Sequence, residues 1–116
     1  MKILAAIHDL MFSSKVNAAA KAGGATVSWL PRGTSVAEQV AKEKPDVLLI
    51  DLGSPALGAV EAIRAIKAAP ETRGVVVIGY IGHEQAEAIE AARAAGADRV
   101  MSKGEFARRL PELLAT

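Results

Sequence analysis

Four consecutive apolar residues, Val47-Leu48-Leu49-Ile50, end at a carboxylate, Asp51, and a turn sequence, Leu52-Gly53-Ser54-Pro55, follows at once. Successive side chains of a strand point to opposite faces, so an unbroken apolar run needs apolar cover on both sides. A run of this kind predicts a strand buried inside a parallel sheet, with Asp51 at its C-terminal end. In open α/β sheets that edge is where ligands and chemistry gather. Residues 2–7 and 75–78 read as further buried strands, and residues 25–30 and 97–101 as shorter ones.

Between the strands the apolar spacing changes to that of helices. Phe12, Val16 and Ala20 recur every four residues in a segment predicted from 11 to 22, and Gly23-Gly24 ends it. Ser35-Val36-Ala37-Glu38 is a capping box that opens a helix to residue 43, and Lys44-Pro45 closes it. A third helix is predicted over 57–69, with Val60, Ile63 and Ile66 on its apolar side, and a fourth over 83–95, stopped by Gly96. A second capping box, Ser102-Lys103-Gly104-Glu105, starts the last helical region. Pro111 removes an amide donor there, so a short turn over 106–110 and a separate helix over 111–115 are expected.

Five strand–helix repeats without a linker specify a three-layer α/β sandwich around a five-stranded parallel sheet. The order 2-1-3-4-5 is the common solution for a flavodoxin-like, doubly wound chain of this length. The whole chain, 1–116, is read as a single domain. In that order His8, Asp9 and Asp51 share one edge of the sheet, beside the ends of strands 4 and 5.

Composition narrows the function. A net charge of +1, with no long run of like charge, offers no patch for nucleic acid or a membrane surface. There is no cysteine, so disulfides and thiolate metal sites are excluded, and a reducing cytoplasm is the expected location. No apolar stretch approaches the roughly 20 residues of a membrane span. No nucleophile–base pair and no strong metal-ligand spacing rises from the sequence, so no enzyme is predicted. Ser13-Ser14 lacks the glycine-rich loop of a phosphate site. Trp29, on an edge strand, reads as packing or as an anchor for a partner.

Several residues carry two readings. Asp51 is a reactive strand-end carboxylate or an ion-pair partner of Lys103. Asp9 is a metal ligand or the N-cap of the first helix. Gly79, Gly82 and His83 form a small pocket over Asp51 or merely a tight turn. A small-molecule or transition-metal site built from His8, Asp9, Asp51 and His83 is the alternative function.

The segment Pro45-Asp46-Val47-Leu48-Leu49-Ile50-Asp51 resembles the phosphoacceptor strand of CheY-like response-regulator receiver domains. Pro55 matches the family's loop proline, Ala94-Ala95-Gly96-Ala97-Asp98 its Ala-Gly-Ala element, and Lys103 its active-site lysine. The resemblance implies a receiver in two-component signalling or a phosphorelay. Asp51 would take a phosphoryl group from a histidine kinase, Lys103 would pair with the phosphoryl oxygens, and Mg²⁺ would bind weakly through Asp9 and Asp51. It also implies protein partners, a kinase or a downstream signalling protein, with docking or homodimer formation through the face of helix 4, strand 5 and helix 5. The departures mark a divergent, stand-alone domain that approaches a pseudo-receiver. Ile7 and His8 occupy the usual pair of acidic positions. Ile81 stands at the Ser/Thr position, Val100 at the switch aromatic, and Gly104 follows the lysine where a proline is usual.

Overall fold

The computed structural model describes residues 1–115. Five parallel strands, β1 (Lys2–Ala6), β2 (Thr26–Trp29), β3 (Val47–Asp51), β4 (Val76–Ile81) and β5 (Arg99–Ser102), form one sheet in the order β2-β1-β3-β4-β5. They alternate with α1 (Leu10–Gly23), α2 (Val36–Glu43), α3 (Ala59–Ala68), α4 (Ala86–Ala95) and α5 (Lys103–Leu113). This is the three-layer, doubly wound α/β architecture expected from the alternation.

β1, β3, β4 and β5 distribute their side chains between two cores. Leu4, Ala6, Leu48, Ile50 and Val77 pack with Val36, Val40, Ile63, Ile66 and Ala92 of α2, α3 and α4. Ile3, Ala5, Leu49, Ile78, Tyr80 and Met101 pack with Phe12, Val16, Phe106 and Leu110 of α1 and α5. Leu48, Leu49 and Ile50 are fully buried, which is why β3 tolerates no polar residue before its last position. Trp29 is partly buried against the second core.

The capping boxes form as read. The Glu38 amide donates to Ser35 Oγ at 3.3 Å, and the Glu105 amide to Ser102 Oγ at 3.1 Å. Gly24 ends α1 and Gly96 ends α4, both in the left-handed region.

Four boundaries differ from the sequence expectation. The third helix does not begin at residue 57: Pro55–Leu57 is a 3₁₀ turn, Gly58 turns the chain at φ +53°, and α3 starts at Ala59. β4 runs three residues further, through Gly79-Tyr80-Ile81, because it pairs with β3 and β5 along that length. The fourth helix starts at Ala86 rather than at residue 83. His83, Glu84 and Gln85 are exposed and form a turn, with the Gln85 amide donating to the Gly82 carbonyl at 3.0 Å. The last helix is not divided at Pro111. That proline is exposed in the final turn, where it removes a single ladder bond, while Leu110 and Leu114 on either side of it are buried against the sheet.

A polar staple closes the far end of the sheet. Lys67 Nζ donates to Asp98 Oδ2 at 2.8 Å and to the Val75 carbonyl at 2.7 Å, and the Val77 amide donates to the same carboxylate oxygen at 2.7 Å. The lysine stem crosses Gly96 so closely that a Cβ there would lie 2.8 Å from its Cγ. Burial opposes the ionised form of Asp98, but the Lys67 and Val77 hydrogen bonds outweigh it and hold the carboxyl below its ordinary value.

Two outcomes follow from this packing. A depressed folded-state pKa contributes stability that is complete above the ordinary Asp value of about 4 and is lost as pH falls through the lower folded value. Asp98→Ala should therefore cost about 1–2 kcal/mol at pH 7, a figure already discounted for partial solvent exposure, and the difference from wild type should shrink below about pH 4. Urea melts at pH 7 and pH 3 check this. At Gly79 a Cβ would lie 2.8–2.9 Å from Cγ and both Cδ atoms of Leu52. Gly79→Ala should cost about 1–3 kcal/mol by overpacking, read from the urea midpoint.

Candidate functional site

The C-terminal ends of β1, β3, β4 and β5 meet at one edge, and Asp51 is the last residue of β3. Alternation from Leu49 sends its half-buried side chain to the α1/α5 side. The Gly53 amide donates to Asp51 Oδ1 at 2.9 Å. The Leu52 amide donates to the Tyr80 carbonyl at 3.0 Å, so the turn after Asp51 is tied to the neighbouring strand. One carboxylate oxygen is thus held by the backbone, and Oδ2 receives no hydrogen bond among the described residues.

Asp9 follows β1 and serves as the N-cap of α1. Its Oδ1 accepts from the Met11 amide at 2.8 Å and the Phe12 amide at 3.2 Å. The capping role read in the sequence is therefore present, and it leaves Oδ2 uncommitted. Lys103 is the first residue of α5 and is exposed. It makes no ion pair with Asp51, so the bland reading of a resident Asp51–Lys103 pair does not describe this structure. A cation at a helix N-terminus sits against the positive end of the macrodipole. An anion placed nearby would be drawn to both.

Ile81 is buried against the same turn, 3.6 Å from the position a Cβ on Gly53 would take. It is the Cα partner of Ser102. Val100 is half-buried and packs on the opposite core. Neither supplies a polar group to Asp51. Gly82 begins the turn into α4, and a Cβ there would meet the Glu84 carboxylate carbon at 2.8 Å.

The alternative constellation of His8, Asp9, Asp51 and His83 is not assembled. His8 faces the other side of the sheet, where it lines a cavity of about 350 Å³ with Leu30, Arg32, Gly33, Thr34, Ser35, Ala56 and Leu57. The His83 side chain is exposed and lies 3.9 Å from its neighbour Glu84. No group of three or more His, Asp or Glu side chains able to hold a metal occurs among the described residues. Two carboxylates, Asp9 and Asp51, remain at the edge, each with one uncommitted oxygen. That set suits Mg²⁺, which keeps most of its waters and needs only one or two carboxylates beside a phosphoryl ligand. With no imidazole beside them, the two carboxylates do not suit Zn²⁺ or Ni²⁺.

The residue that the sequence reading missed is Tyr80. It is the Cα partner of Asp51 across the β3–β4 ladder, so both side chains leave the sheet on the same face. Its ring is wholly buried between the first turns of two helices. It stacks on Phe106 at 4.5 Å and 16° and leans on Phe12 at 4.7 Å and 31°. Three of the four aromatic side chains in the chain are thereby spent at one spot. The hydroxyl is buried and has no hydrogen-bond partner among the described residues, a condition that costs about 1–3 kcal/mol. Burial, then the Asp51 carboxylate, then that of Asp9 push its pKa upward, so it stays protonated and remains a donor. Extending β4 past Gly79 would have revealed the pairing; the glycine concealed it.

The family model for the response regulator receiver domain matches residues 8–115. Solved structures share the fold at low identity. A response regulator from Hahella chejuensis superposes with a TM-score of 0.85 at 16% identity, over 97% of this chain and 91% of that one. The signal receiver domain of a DNA-binding response regulator from Colwellia psychrerythraea 34H gives 0.81 at 19%, over 98% of both. The receiver domain of a sensor histidine kinase from Pseudomonas aeruginosa, with a magnesium ion coordinated in its active-site cleft, gives 0.77 at 21%, over 97% and 96%. Among curated proteins none matches. The chain belongs to the response regulator receiver domain family.

Proposed function

We propose that residues 1–116 act as one divergent receiver domain in two-component signal transduction, with Asp51 as phosphoacceptor and with output through protein contact. The observation that carries this reading is the state of Asp51. It is half-buried at the end of a central strand, one oxygen fixed by the Gly53 amide and the other uncommitted. A fixed carboxylate with one open oxygen is oriented for attack on phosphorus. The phosphoryl donor is a phosphohistidine of a histidine kinase. An Asp51 oxygen forms the new P–O bond as the P–N bond breaks, and the imidazole nitrogen leaves with the electron pair and takes up a proton.

Lys103 supports the same reading. Its charge has no ion-pair partner among the described residues and would meet phosphoryl oxygens on Asp51. Asp9 and Asp51 would hold Mg²⁺ mainly through its waters. Bound there, the ion would offset the negative charge on the phosphoryl oxygens. Ile81 and Val100 cannot perform a hydroxyl-to-aromatic rearrangement, so any switch in this chain uses other groups. The domain is a signalling module without an enzymatic output of its own. Its partners are a kinase and a downstream protein, or a second copy, met through the face of α4, β5 and α5, where Arg93, Arg99, Glu105 and Arg109 surround a shallow cavity of about 280 Å³. No helix among the described residues is long and apolar enough to cross a membrane. A cytoplasmic location, away from nucleic acid, suits the absence of cysteine and the balanced charge.

Beryllofluoride with millimolar Mg²⁺ should shift amide resonances around Asp51 and Lys103 in the wild type and not in Asp51→Asn. A silent wild type would remove the phosphoacceptor and leave a pseudo-receiver that works by its surface alone. Asp9→Asn separates capping from charge, because asparagine caps a helix as well as aspartate does. That variant should keep its urea midpoint while binding Mg²⁺ about tenfold more weakly or worse. Unchanged Mg²⁺ affinity in an NMR titration would take Asp9 out of the site.

A further inference from the structure

We propose that the Tyr80 hydroxyl donates a hydrogen bond to a phosphoryl oxygen on Asp51, doing from β4 what the isoleucine at position 81 cannot. This rests on the reading of Asp51 as phosphoacceptor. Three observations carry it. The two residues are Cα partners in the β3–β4 ladder, and their side chains share a face. The Leu52 amide, donating to the Tyr80 carbonyl at 3.0 Å, locks the backbone of that pairing. The hydroxyl is one of only two buried side-chain polar atoms without a partner among the described residues, the other being His8 Nε2 on the opposite side of the sheet. Native proteins satisfy nearly all such atoms, and an exception points to a partner that comes and goes.

The surroundings make the donor effective. The ring cannot swing to solvent, since it is wholly buried and packs on both Phe12 and Phe106, whose own centroids lie 5.9 Å apart. The hydroxyl itself is shielded from solvent, so a hydrogen bond from it to a charged acceptor is strong. Phosphorylation of Asp51 would add oxygens that accept strongly, where the resting carboxylate draws no bond from Tyr80. The same clamp conveys the event outward. Phe12 lies in the first turn of α1, three residues after the capping Asp9, and Phe106 lies in the first turn of α5, three residues after Lys103. A phenol that shifts toward Asp51 moves against both rings, and thus against the two helix starts that carry the remaining charged groups of the site.

Tyr80→Phe keeps the ring and removes only the hydroxyl. The unliganded variant should be as stable as wild type or more so, because an unmet buried donor is gone. Its beryllofluoride affinity should fall about 10- to 100-fold, the value of a hydrogen bond to a charged group. In wild type, beryllofluoride should shift the Phe12 and Phe106 ring resonances and bring the Tyr80 hydroxyl proton into view by slowing its exchange. That last readout needs no variant and stands even if Tyr80→Phe fails to fold. Equal affinity in wild type and Tyr80→Phe, with no hydroxyl resonance, overturns the role of Tyr80 and leaves Asp51 as acceptor. A wild type that does not respond, or an Asp51→Asn variant that responds like it, overturns the acceptor reading and this proposal together.

Discussion

A strand that presents apolar side chains to both faces at four successive positions can place a charged side chain only at its end. Val47 to Ile50 impose that condition on β3, which lies at the centre of the sheet with β1 on one side and β4 on the other. Every crossover helix exists to cover the strands, and parallel connection brings the chain back at the same end each time. The C-terminal ends of β1, β4 and β5 are therefore delivered beside Asp51 by topology. Asp9, Tyr80, Ile81 and Lys103 reach that edge as a consequence of how β3 is buried.

Much of this was readable before any coordinates. The two capping boxes, the terminating glycines at 24 and 96, and the alternation of strand and helix periods are local signals with local causes, and they form as read. What was not legible depended on pairing. Gly79 looked like the end of a strand, because glycine weakens strands in isolation. In the fold β4 passes through it, since Leu52 fills the space its side chain leaves and β3 and β5 pair on both sides. Pro111 looked like a helix break by propensity. Burial of Leu110 and Leu114 against the sheet outweighs one lost backbone bond.

The site divides in the same way. Asp51 was legible because its position follows from hydrophobic pattern, and the absent hydroxyl at Ile81 was legible only through the resemblance to receiver domains. Tyr80 was not, because its relation to Asp51 is one of register between strands, and register cannot be counted within a single segment. His8 shows the converse error. Adjacency to Asp9 suggested one site, but consecutive residues at a strand end leave on opposite faces, so His8 lines a cavity on the α2/α3 side.

Unmet polar groups are unevenly spread through this molecule. Away from the sheet's C-terminal edge they are answered: Thr72 Oγ1 donates to the Ile66 carbonyl at 2.8 Å, and Lys67, Asp98 and the Val77 amide satisfy one another. At the edge beside Asp51 the balance is different. A carboxylate has one oxygen without a donor, a lysine faces the positive end of its own helix, and a buried phenol has no acceptor. The phenol's burial costs stability as it stands, and a single anion bearing several acceptor oxygens would engage both the phenol and the lysine. A sequence under selection for stability alone could remove the phenol's penalty with phenylalanine at position 80, at no cost in packing. A phenol rather than a phenyl ring in the cluster with Phe12 and Phe106 is the physical reason to regard that edge as a place where something binds.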